Sequence, residues 1–158
     1  MAENGITELT GLQSWLTGKL EKIVESHGRR LLGWDEIMEG GLSDNAVVMS
    51  WRGMENGLSA IEAGHDVIMS PNAFYYFDYT QDAPIYEPEA IGGYIPLELA
   101  YSYAADVASP HLLGVQGNVW TEFIPEADHL EYMIYPRMFA VAETGWSPVE
   151  KKDYAGFR

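Results

Sequence analysis

"LLGVQGNVWTEF", residues Leu112–Phe123, decides how the rest of the chain is read. A short uncharged apolar run of this kind is the pattern of a strand buried on both faces. It nevertheless closes on an indole and a carboxylate, Trp120 and Glu122. A buried strand gains nothing from that ending, whereas a strand leaving the core toward a ligand does. Three other runs have the same form. "RRLLGW" (Arg29–Trp34) ends in Trp34, "AVVMSW" (Ala46–Trp51) ends in Trp51, and "DVIMS" (Asp66–Ser70) is followed, a few residues on, by Tyr76 and Asp78.

Helical segments separate these runs. Leu9, Leu12, Trp15, Leu16, Leu20, Ile23 and Val24 recur at helical spacing, with Gly28 as a stop and Thr10 and Gln13 as a capping box in the first turn. "NGLSAIEAGH" (Asn56–His65) reads as a short amphipathic helix closed by Gly64, and "PLELAYSYAAD" (Pro96–Asp106) as another. A last helical stretch, from about Asp128 to Thr144, carries Pro136 and must bend or break there. Residues 71–93 are rich in Tyr and Pro and too long for a plain connection, a form that usually carries function. Continuous apolar strands alternating with helices predict an α/β fold with parallel strands and covering helices. In such a sheet or barrel the strand C-termini open on one face, where ligands bind. Trp34, Trp51, Tyr76, Asp78, Trp120 and Glu122 are all expected at that mouth.

Composition narrows the ligand. Nine Lys and Arg against 24 Asp and Glu give a formal charge of −15, which repels phosphate backbones and anionic membranes, so no nucleic acid or membrane partner is expected. No apolar run is long enough to span a bilayer. Cysteine is absent, which excludes disulfides and thiol nucleophiles. His27, His65, His111 and His129 are scattered without i,i+4 pairing, so no metal site is expected. There is no Gly-rich phosphate loop, and no cofactor is expected.

Three indoles, a phenol and carboxylates suit a carbohydrate. The C–H face of a sugar ring sits on the negative face of an indole, and its hydroxyls are met by Asp and Glu acceptors. A single tryptophan is more often core packing. Three at equivalent strand ends, two of them beside the carboxylates Asp35 and Glu122, favour a site.

The blocks "GRRLLGWDEIMEGGL", "AVVMSWRG", "AGHDVIMSP" with "YYFDY", "LLGVQGNVWTEF" and "YPRMFAVAETGWSP" resemble, in order, successive motifs of glycoside hydrolase family 20, the β-N-acetylhexosaminidases. The resemblance runs from about Leu12 to Pro148 and covers the second half of that family's catalytic domain, a (β/α)8 barrel. It implies removal of terminal N-acetylglucosamine or N-acetylgalactosamine from glycans or chitooligosaccharides, with the substrate's own acetamido oxygen as nucleophile, an exception to the two-carboxylate scheme. By the same resemblance Tyr76 is the catalytic residue that holds the acetamide oxygen. Trp34, Trp51 and Trp120 wall the pocket, and Asp78 and Glu122 bind hydroxyls of the terminal sugar. The family's general acid, the Glu of an H-x-G-G-D-E-like block, has no counterpart here. Asp35-Glu36 matches the following strand's motif, and Glu36 reads as a residue favoured at a helix start.

The expectation is therefore a partial catalytic domain over residues 1–158, lacking the acid/base strand and inactive alone. Its exposed barrel edges would pair with a second copy or leave a marginal, salt-sensitive monomer. Family analogy puts the parent in the periplasm or outside the cell. The competing expectations are a non-catalytic carbohydrate-binding module and a Rossmann-like α/β domain without sugar function.

Overall fold

The computed structural model describes residues 4–158. The chain forms two compact units, one running up to Met69 with Ala108–Leu113 added, the other comprising Ser70–Val107 and Gly114–Arg158.

The first unit opens with α1 (Leu9–Ser26) and continues through β1 (Leu32–Trp34), β2 (Val47–Ser50), α2 (Glu55–Glu62) and β3 (Val67–Met69). With β4 (Leu112–Val115) these make one sheet in the order β1-β2-β3-β4. β1, β2 and β3 are parallel, Trp34 lying in register with Met49 and Ser50 with Met69. This is the predicted α/β class. Every residue of β2 is buried, as expected of a central strand covered on both faces. Val48 of β2, Val67 and Met69 of β3 and Ala60 of α2 are core residues of this unit.

The expected first helix is present as Leu9–Ser26, but one of its details differs. The capping box at Thr10 and Gln13 is not made: Glu8 is the N-cap and supplies no side-chain bond, while Gln13 Nε2 donates instead to the Glu36 carbonyl at 2.6 Å. Much of the apolar stripe faces outward. Leu9, Leu16, Leu20 and Ile23 are exposed, and the buried residue of the helix is Glu21, which accepts from the Ser43 hydroxyl.

The second unit holds α3 (Asn72–Tyr75), α4 (Leu97–Ser102), α5 (Ala127–Ile134), α6 (Arg137–Trp146) and α7 (Tyr154–Phe157). α4 stops four residues short of the expected end because Tyr103 turns extended, where Lys152 Nζ donates to the carbonyls of Tyr101 and Tyr103. The break required by Pro136 falls between α5 and α6. Tyr75, Phe77, Ile95, Tyr103, Met133 and Ala140 are its core. Tyr75 meets Tyr103 edge-on at 5.0 Å.

Arg137, the first residue of α6, is buried without exposure. Its guanidinium donates to the carbonyls of Phe77 (2.7 Å), Tyr79 (2.9 Å), Ile95 (3.0 Å) and Met133 (2.5 Å), and it stacks 4.7 Å over the Phe77 ring. Burial lowers its pKa to about 10, opposed by the nearby charges of Glu87 and Asp78. One cation thus fixes the turn on either side of Asp78.

Candidate functional site

In the first unit two of the expected tryptophans stand at the same end of neighbouring parallel strands. Trp34 closes β1, and Trp51 follows β2 directly. Between them a 3-10 turn, Asp35–Met38, carries two carboxylates with separate tasks. Asp35 is fully buried; its Oδ2 accepts from the backbone N–H of Trp51 (3.0 Å) and of Arg52 (3.2 Å), and its Oδ1 from Arg52 Nε (2.5 Å). Glu36 accepts the Trp51 indole N–H on both oxygens, at 3.0 Å each. Arg52 Nη1 also donates to Glu39 at 2.9 Å. The hydrogen bonds to Glu39 and Asp35, in that order, raise the Arg52 pKa. Glu36 does stand at the start of a turn, as its place in the sequence predicts, and its carboxylate is engaged by the Trp51 indole.

The second unit gathers the other four expected residues. Tyr76 and Asn118 form a parallel bridge, with Phe77 N donating to the Asn118 carbonyl at 2.7 Å and Asn118 N to the Tyr75 carbonyl at 2.8 Å. The segment expected to run as a strand to Trp120 therefore leaves the sheet at Val115 and pairs again at Asn118. Gly117 permits this approach, since a Cβ there would lie 2.9 Å from the Phe77 ring. The Asn118 side chain donates to Ser70 Oγ (2.6 Å), Ser70 Oγ to the Gln116 carbonyl (2.9 Å), and Gln116 Nε2 to Asn118 Oδ1 (2.8 Å). Ser70, Gln116 and Asn118 were not singled out from the sequence. Their polar character inside apolar runs was the available signal.

On this frame the Tyr76 ring meets the Trp120 ring edge-on at 6.1 Å. Tyr76 is 8% exposed and Trp120 39%, so the phenol lies deep and the indole at the rim. Asp78 is 7% exposed, and its Oδ1 has no hydrogen-bond partner among the described residues. Desolvation raises its pKa, the backbone N–H of Asp78 itself opposes this, and the Glu122 carboxylate raises it further. Glu122 is exposed. A buried acceptor left open beside an aromatic rim and a second carboxylate is built to receive hydroxyl donors. Among the described residues no group of His, Asp and Glu has the arrangement to hold a metal ion.

The profile of the glycosyl hydrolase family 20 catalytic domain matches residues 1–149. The chain belongs to that family. A beta-hexosaminidase of Porphyromonas gingivalis is 46% identical, the match covering 99% of this chain and 21% of that protein. A beta-hexosaminidase of Vibrio furnissii is 38% identical over 92% of this chain and 25% of that protein. Among solved structures, the family 20 exo beta-N-acetylglucosaminidase of Vibrio harveyi, in complex with N-acetylglucosamine, superposes with a TM-score of 0.88 at 32% identity, covering 99% of this chain and 26% of that one. The chain thus spans about a quarter or less of these curated relatives' length. Parallel strands with helices are what a part of a family 20 barrel requires, and the family match sets aside the reading as an unrelated Rossmann-like domain. No helix among the described residues is long and apolar enough to cross a membrane.

Proposed function

We propose that this chain is the substrate-holding second half of a β-N-acetylhexosaminidase catalytic domain, acting on terminal N-acetylhexosamine residues of glycans or chitooligosaccharides. The observation that carries the reading is Asp78, a buried carboxylate with an open oxygen, set next to Glu122 and Trp120. Asp78 and Glu122 accept hydroxyls of the terminal sugar. Trp120 supplies an aromatic face for its C–H groups, and the first unit offers Trp34 and Trp51 as further aromatic faces for a sugar or its acetamide. Tyr76 donates a hydrogen bond from its phenol to the acetamide oxygen and orients it for attack on the anomeric carbon. As the C–O bond of the oxazolinium ring forms, the bond to the leaving oxygen breaks, and that oxygen takes a proton from a general acid. Asp35 and Glu36 are engaged in holding Trp51 and Arg52, so the acid is assigned to residues outside this chain. The gain from such a pocket is orientation of the acetamide in a near-attack geometry.

Calorimetric titration with N-acetylglucosamine, using glucose as the control without an acetamide, tests the reading. Saturable binding that prefers N-acetylglucosamine and weakens about tenfold or more in Asp78→Asn is expected, the cost of one hydroxyl–carboxylate bond. Equal responses to both sugars, or none, would overturn it. We further propose that the chain self-associates in isolation through the apolar stripe of α1 and the edge of β1, where Leu32 is exposed. Light scattering showing a salt-independent monomer would refute that.

A further inference from the structure

We infer that Glu36 is a positioning residue for the Trp51 indole and that Asp35-Glu36 works as a two-point brace rather than an acid pair. The inference rests on the sugar-binding reading above but draws on a separate observation. Trp51 is fixed at two places by adjacent carboxylates. Asp35 takes its backbone N–H at 3.0 Å, and Glu36 takes its indole N–H at 3.0 Å through both oxygens. The main-chain hold sets where the residue starts, and the indole hold sets the rotation about its side-chain bonds, hence the plane of the ring.

The division of labour follows from burial. Asp35 is fully buried and is compensated by Arg52 Nε and two backbone amides, so it is committed to structure. Glu36 is only partly buried and holds the indole through side-chain atoms alone. The turn that carries both is itself tied down, since the Glu36 carbonyl accepts from Gln13 and the Glu39 carbonyl from Ser14 Oγ at 3.1 Å. α1 therefore supports the brace from behind. An aromatic platform contributes to sugar binding only if its face is presented at one angle. Glu36 supplies that angle through an acceptor that Gln keeps in one oxygen at the same reach and that Asp, one methylene shorter, does not.

The test uses this chain, labelled with nitrogen-15, with the Trp51 indole resonance assigned through Trp51→Phe. Solvent exchange of the indole N–H and its response to N-acetylglucosamine are read in the wild type, Glu36→Gln, Glu36→Asp and Glu36→Ala. Exchange about tenfold faster is expected in Glu36→Ala and Glu36→Asp, with a clearly smaller increase in Glu36→Gln, which keeps one neutral acceptor oxygen, and unchanged signals from Trp15 and Trp146, because one charge-assisted bond is lost locally. The sugar-induced shift of the Trp51 signal should be lost with the first two variants and kept with the third. Unchanged exchange in Glu36→Ala and Glu36→Asp would overturn the inference, as would a loss in Glu36→Gln equal to that in Glu36→Ala. If the wild type shows no sugar response while exchange follows the expected order, the brace stands and the sugar reading fails.

Discussion

Replacing Arg137 by Met should destabilise the second unit by about 3 kcal/mol. The guanidinium serves four buried carbonyls, those of Phe77, Tyr79, Ile95 and Met133. A bond from a charged donor is worth roughly 1.5–3 kcal/mol, so four at the low end amount to about 6 kcal/mol. Against this stands the cost of keeping the cation out of water, visible in a pKa lowered from the ordinary arginine value to about 10 and equivalent to about 3 kcal/mol. The methionine fills most of the volume, so no large cavity enters. The net loss is a sizeable part of the ~5–15 kcal/mol that a domain possesses. Because the chain has two compact units, the second should be followed through its own reporters. Native-state hydrogen exchange of the Phe77 and Ile95 amides, which donate to the carbonyls of Asn118 and Thr80, serves this purpose. Arg137→Lys should fall between, since an ammonium cannot span the same fork of acceptors. Exchange free energies within about 0.5 kcal/mol of wild type in Arg137→Met would refute the reasoning.

Other substitutions probe different parts of the site. Asp78→Asn should stabilise the fold at neutral pH while weakening sugar binding: a carboxyl with its pKa raised in the fold keeps its proton when the unfolded chain has lost it, so stability falls as pH climbs above the ordinary value of 3.8, and urea midpoints in the variant should lose that slope. Gly93→Ala should cost roughly 2 kcal/mol in thermal unfolding, because Gly93 has φ +75° and an added Cβ would lie 2.3 Å from the Tyr79 ring. In an active full-length protein carrying this segment, Tyr76→Phe should lower kcat more than it raises KM, since the phenol's main task is to orient the acetamide oxygen for attack; a pure KM effect in steady-state assays would leave Tyr76 as a binding residue only.

The strands were legible in the sequence because each is a bounded apolar run, and Trp34 and Trp51 were placed correctly at strand ends by that pattern alone. What escaped was everything fixed by long-range polar bonds. Nothing local marks Gln13 as a partner of the Glu36 carbonyl rather than of its own helix, or Asn118 as the residue that pairs with Tyr76. Arg137 sat inside a recognised block, yet its four acceptors come from Phe77, Tyr79, Ile95 and Met133, distant in sequence except for the last. The turn α3 inside residues 71–93 and the early end of α4 were missed because Pro71 and the Lys152 bonds decide them, not periodicity. The exposed stripe of α1 shows the converse case, in which a clear helical period reported a face that this chain does not itself bury.

The central claim, a sugar-holding segment whose general acid lies elsewhere, is tested most directly by incubating this chain with para-nitrophenyl N-acetyl-β-glucosaminide. The expected result is nitrophenol release at the buffer rate, identical in the wild type and Glu36→Gln, because Asp35 and Glu36 are engaged by Trp51 and Arg52. Turnover well above the buffer rate that Glu36→Gln abolishes would contradict it and make Asp35-Glu36 the acid pair.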